Sequence, residues 1–166
     1  MNLLNLPSLF AFQPRHYHGG QIRHYLPLLY DLVRTVRPKR IAVLGLGAGD
    51  GFFTLCQVVQ EGGLTSECVG VWRGLQSSDD DEAWRESVRY AAEHYREFAR
   101  LNPNDTVSLL DDFAERKVDL LVIDDCDAGS EILRDLENWE RVLSTESIVL
   151  VPVSYTHLTL PTICSV

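Results

Sequence analysis

Basic stripes, long apolar runs and paired cysteines are all missing from this 166-residue chain, and each absence removes a class of function. Lys and Arg total 15 against 24 Asp and Glu, a formal charge of -9, with acids gathered at Asp79, Asp80, Asp81 and Glu82 and again at Asp124, Asp125 and Asp127. A polyanion finds no electrostatic footprint here, which excludes nucleic acid as the expected partner. The longest apolar runs fall far short of the roughly 20 residues of a membrane span. Met1 to Phe12 is apolar at Leu3, Leu4, Leu9 and Phe10, yet it lacks the basic start and small-residue cleavage site of a signal peptide, so a cytoplasmic location is expected. Cys56, Cys68, Cys126 and Cys164 form no C-x-x-C pair. They are expected to be small buried hydrophobes, with no metal bound.

What is present is enough apolar material, 45% of residues, for one core and one domain. Gln21 to Val36 has apolar residues at Ile22, Tyr25, Leu26, Leu29, Leu32 and Val33, a helical rhythm that Pro38 stops. Ile41 to Leu44 suits a strand buried on both faces. Phe52 to Glu61 is expected to be a helix with Phe53, Cys56, Val58 and Val59 inward, ended by Gly62 and Gly63, and Cys68 to Trp72 a second strand. Strand, glycine turn, helix and strand within about thirty residues make a parallel crossover unit. Further on, Asp80 to Leu101 repeats apolar residues at Trp84, Val88, Ala91, Tyr95 and Phe98 and is expected to be an amphipathic helix, with any third strand a short piece near Arg100 to Asn102. Between them and the next strand, Thr106 to Leu110 suits either a strand or a short helix capped by Asp105, the helix being preferred. Val118 to Asp125 reads as a strand ending in acids, Ser130 to Leu143 as a helix with Ile132, Leu133, Leu136, Trp139 and Val142 on one side, and Ser147 to Val151 as a further strand.

The stretch VLGLGAGDGFF, Val43 to Phe53, carries a glycine at every second position from Gly45 to Gly51. In a parallel sheet, ligands sit beyond the carboxyl ends of the strands, and a side-chain-free turn there lets a ligand approach backbone N-H groups closely. A dinucleotide fingerprint, G-x-G-x-x-G, fails in both registers, because Asp50 or Phe52 occupies the last place. Phosphate binding of the Walker type fails too, since no Gly-Lys-Ser/Thr follows. G-x-G-x-G remains, and it admits either a small-molecule site or a tight strand-to-helix turn.

VLGLGAGDGFFT resembles the first motif of class I S-adenosylmethionine-dependent methyltransferases. The segment GDGFFTLCQVVQEGGLTSECVGVWRG is similar to a bacterial subgroup, often found beside glycosyltransferases, with the pattern G-D-S-Y, F-C-Q-A-V, G-V-D-T-W-x-G-D. HYREFARL and VDLLVIDDCDAGSEILRDLENWERVL continue the likeness, which spans about Gly20 to Val151. It implies an α/β, Rossmann-like sheet with helices on both faces, truncated after about the fifth of seven strands, in a single incomplete domain over residues 1–152. The implied cofactor is S-adenosylmethionine, held by Gly45, Leu46, Gly47, Ala48, Gly49, Asp50, Gly51, Trp72 and Asp124. The implied acceptor is a small-molecule or carbohydrate hydroxyl, and Asp124 is the candidate catalytic base.

Two acids of the family pattern are absent. Val43 or Gly45, by register, stands where an acid precedes the first glycine, and Trp72 stands where a carboxylate accepts both ribose hydroxyls. Trp72 offers a stacking face instead; Asp79, Asp80 or Asp81 are substitutes by position but suit better an exposed acidic start to their helix. Val122, Asp125 and Asp127 replace the subgroup's His, Gly and second His around Asp124, and the three acids also suit a polar loop capping the next helix. His16, His18 and His24 precede or enter the first helix; His18 is a candidate to overhang the cofactor or an exposed side chain. These losses motivate an alternative, a catalytically degenerate binding or scaffold domain.

The last fourteen residues, Val153 to Val166, carry no charge. VSYTHLTLPT resembles a translated sequencing-library adaptor, which implies a non-native tail over residues 153–166 and an exposed sheet edge prone to aggregation.

Overall fold

A computed structural model describes residues 11–72, 78–103, 109–124, 129–152 and 162–165, with only the backbone course given for 78–81, 129–131 and 162–165. Strands β1 (Arg40–Leu44), β2 (Glu67–Val71), β3 (Ala99–Asn102), β4 (Val118–Ile123), β5 (Leu143–Val151) and β6 (Thr162–Ser165) form one sheet in the order β3-β2-β1-β4-β5-β6. The first five are parallel, and β6 runs antiparallel to β5. Helices α1 (Leu26–Val36), α2 (Asp50–Glu61), α3 (Ser78–His94) and α4 (Gly129–Trp139) complete the α/β arrangement.

Strand β1 explains why the sheet is covered on both sides. Ile41 and Val43 pack with α1, α2 and α3 on one face, while Ala42 and Leu44 pack with Trp139, Phe113 and β4 on the other. All four side chains are fully buried, and each large one contributes about 1.5–3 kcal/mol by leaving water. Such two-sided burial is why the strand reads as a continuous apolar run. The chain goes out to β3 and returns across β1 to β4, so the order reverses beside the carboxyl end of β1, the position where open α/β sheets bind ligands.

Several expectations need correction. The first helical rhythm divides into a 3-10 turn, Gln21–Tyr25, and α1, because Pro27 lies at the start of α1 and has no N-H to continue a longer ladder. Helix α2 begins at Asp50 rather than Phe52, so the last part of the glycine stretch is already helical. Helix α3 ends at His94, not Leu101: the Ala99 amide turns back to the Tyr95 carbonyl, and the Phe98 carbonyl accepts from Cys68, drawing the chain into the sheet. Tyr95 and Phe98 keep the apolar period because they face the same core after the helix has stopped. On α3 the inward stripe passes through Ser87 rather than the exposed Val88, and on α4 Leu133 is 62% exposed while Trp139 is fully buried. Residues 110–113 form a short 3-10 turn, and residues 104–108 lie outside the described structure. Helix α4 stops at Trp139, and β5 starts at Leu143, four residues before the expected Ser147.

Candidate active-site cleft

The turn after β1 is built by glycines in the left-handed region: Gly45 (φ 81°), Gly47 (φ 50°) and Gly49 (φ 81°). Gly49 donates to the Leu46 carbonyl at 2.8 Å and accepts from Phe53 at 2.9 Å, so the same residue closes the turn and launches α2. A Cβ on Gly49 would lie 2.8 Å from the Phe53 ring and 3.1 Å from His16 Nε2; one on Gly51 would lie 2.9 Å from Ile22 and 3.3 Å from the Asp124 carboxylate. The protein's own packing therefore excludes side chains at Gly49 and Gly51.

Three ladder bonds bring the site's edge into line. Gly45 donates to Val71, Trp72 to Asn102 and Asp124 to Leu44, each one step beyond a strand end. Gly45, Trp72 and Asp124 thus share one sheet edge, as their positions in the motifs require.

Over this edge lies a strap, residues 15–22. Its Arg15 binds Gln60 and Glu61 on α2, and its backbone amide donates to Gln57. His16 Nε2 is 3.0 Å from the Ala48 carbonyl, an acceptor, so this nitrogen carries the hydrogen. Its ring lies against His18, Phe53 and Tyr90. Burial holds the His16 pKa below its ordinary value, and nearby His18 lowers it further, against the opposing pull of the Ala48 bond, Asp50 and Glu86. Asp50, 1% exposed in the first turn of α2, accepts the His18 amide on Oδ1 and the Gly20 amide on Oδ2, both at 2.7 Å.

Between strap and turn is a cleft of about 170 Å³ lined by Gly20, Gln21, Ile22, Gly47, Ala48, Asp50 and Asp124. Its lining offers two carboxylates and no basic side chain, a donor set suited to a cation and unsuited to phosphate. Drug-sized ligands occupy roughly 300–1,000 Å³. Residues 73–77, 104–108 and 125–128, which follow β2, β3 and β4 in the chain, lie outside the described structure, and with them Asp125, Cys126 and Asp127.

Of the other expected site residues, Leu46 turns its side chain into the core, and neither it nor Gly45, Gly49, Gly51 or Trp72 lines the cleft. Trp72 is buried, edge-on to Trp84 at 5.6 Å, and its indole N-H has no partner among the described residues. The side chains of Asp79, Asp80 and Asp81 are not described, although their backbone begins α3. The His18 side chain is half exposed and His24 is exposed. Cys56 and Cys68 are buried as expected, and burial beside Cys68 pushes the Cys56 thiol well up. His16, His18 and Asp50 hold potential ligand atoms within 4.8 Å of one another, but both Asp50 oxygens and His16 Nε2 are already engaged in hydrogen bonds. Gly20, Gln21 and Ile22 were not legible as site residues; the signal was the Gly19-Gly20 pair just ahead of the first helix. No described helix is long and apolar enough to cross a membrane.

Comparison with known proteins agrees with this architecture. A family model described as a methyltransferase domain matches residues 43–151. The uncharacterized protein y4gI of Sinorhizobium fredii (strain NBRC 101917 / NGR234) is 34% identical over 156 residues, 90% of this chain and 17% of that protein. Among solved structures, the O-methyltransferase from Bacillus cereus in complex with SAH aligns with TM-score 0.59 at 15% identity, over 83% of this chain and 58% of that one. The O-methyltransferase TomG from Streptomyces achromogenes, in complex with SAM, aligns with TM-score 0.58 at 15% identity, over 75% and 52%. SAH-bound PaMTH1 from Podospora anserina gives 0.58 at 20% identity, over 78% and 52%. These identities establish a shared fold. The chain spans little more than half the length of these structures and 17% of the curated relative.

Proposed function

We propose that this chain, which belongs to the methyltransferase-domain family, transfers a methyl group from S-adenosylmethionine to a hydroxyl of a small-molecule or carbohydrate acceptor. The observation that carries the proposal is a cleft with two carboxylates and no basic side chain among its described lining residues, beside a glycine turn at the point where strand order reverses. When bound, the cofactor supplies an electrophilic methyl group on a positively charged sulfur. Around it, the backbone of Gly47 and Ala48 in the cleft wall provides close approach, the rest of the turn, Gly45, Leu46, Gly49 and Gly51, holds them in place, and Asp124, with the strap-bound Asp50 behind it, supplies compensating charge. Trp72 lies at the strand end from which a ring would reach the base. Asp124 would accept the proton of the acceptor's hydroxyl, and the bound cofactor would supply the methyl group to that oxygen.

A second reading has its own observation. Where the family pattern places a ribose-binding acid, Trp72 is packed edge-on against Trp84, as suits a domain that binds without turning over. Calorimetric titration with S-adenosylmethionine, followed by radiolabelled methyl transfer to added carbohydrate acceptors, separates the readings. Micromolar binding with transfer is expected; binding without transfer favours the second reading, and no heat at millimolar ligand defeats the enzyme reading.

For the tail, the proposal remains that residues 153–166 are non-native, with 1–152 the domain. The family match ends at residue 151, which supports it, while the backbone of 162–165 pairs with β5. Resequencing the gene across codon 152 decides the matter.

A further inference from the structure

Asp50 was expected to touch the cofactor, yet both its oxygens are turned to the strap. The two 2.7 Å bonds from the His18 and Gly20 amides join segments thirty residues apart, and the residues immediately after them, Gln21 and Ile22, form a wall of the cleft. The approach leaves no room: a Cβ on Gly20 would stand 3.2 Å from Asp50 Oδ2 and 3.4 Å from Ala48 Cβ. His16 fixes the other end of the strap to the Ala48 carbonyl, inside the same turn.

We propose that Asp50 is a positioning residue whose carboxylate clasps the strap onto the glycine turn and thereby builds the cleft wall of Gly20, Gln21 and Ile22. Charge-assisted bonds to backbone amides are among the strongest available to a carboxylate, and a buried carboxylate that lost them would be left unsatisfied. The cleft's width toward a ligand is thus set by residues that precede β1. That this ligand is S-adenosylmethionine or its product rests on the function proposed above; the clasp itself does not.

Two substitutions attack the clasp from opposite sides. Asp50→Asn replaces one accepting oxygen by a donor. Gly20→Pro keeps the Asp50 carboxylate but removes the Gly20 N-H and sets a ring against Asp50 Oδ2, at a residue whose φ of -56° already suits proline. Amide hydrogen exchange at His18 is read without ligand, and S-adenosylhomocysteine affinity by calorimetry, with thermal melting as the control for folding. Both variants are expected to speed exchange at His18 and to weaken the ligand by about tenfold or more while the melting transition stays cooperative. Weakening by Asp50→Asn alone, with Gly20→Pro equal to wild type, overturns the proposal in favour of direct ligand contact. Unchanged exchange at His18 in both variants overturns it outright. Should the wild-type chain bind no S-adenosylhomocysteine while exchange at His18 still rises in both variants, the cofactor reading fails and the clasp stands.

Discussion

Among single residues, His16 has the most to say about pH. Its pKa in the fold is depressed below the 6.5 of an unperturbed histidine, so the folded state favours the neutral ring. The stabilisation is complete above about pH 6.5 and is lost as pH falls from there through the folded value, because the unfolded chain then binds the extra proton first. Urea denaturation at neutral pH and at about pH 5.5 is expected to show a larger loss for wild type than for His16→Phe, which keeps the ring contacts but cannot titrate. Equal losses would remove His16 from the acid response. At this scale the sequence was readable where chemistry is local: the glycines and Asp124 announced the edge they occupy. It was unreadable for Asp50 and Gly20, because a carboxylate's partners across thirty residues leave no trace in spacing.

Helices and strands were located well where a single face is buried and poorly where they end. Helix α1 stops at Arg37, which takes φ 53° and donates to the Val33 carbonyl, a left-handed cap normally given to glycine. Arg37→Gly is therefore expected to stabilise the chain by about 0.5–1 kcal/mol, measured as an increased midpoint in urea at unchanged slope. A lower midpoint would mean that the arginine side chain offsets its backbone strain. The error at α3 has a different origin. Steps of three and four report which side chains face the core, and Tyr95 and Phe98 satisfy that condition from a turn as readily as from a helix. Short edge strand β3 gave no alternation to correct it.

For the molecule as a whole, the crossover order and the two-sided core followed from the apolar runs at β1, β2 and β4, whose continuity means burial on both faces. The edge beyond β5 was expected to be open, whereas four residue pairs from Val151↔Thr162 to Ile148↔Ser165 cover it. A chain ending at residue 152 is expected to expose that backbone and to self-associate, seen as concentration-dependent mass in light scattering, while the 166-residue chain remains monodisperse. Equal behaviour of the two would show that β6 contributes nothing to solubility.

The strap has a consequence for anyone excising the domain by similarity. A piece cut at 43–151 would retain β2 to β5 whole but only Val43 and Leu44 of β1, and would still carry the whole family match. It would nevertheless lack one wall of the cleft, since Gly20, Gln21 and Ile22 lie upstream of the cut. The family match and the cleft have different borders in this chain, and the strap that walls the cleft begins at Arg15.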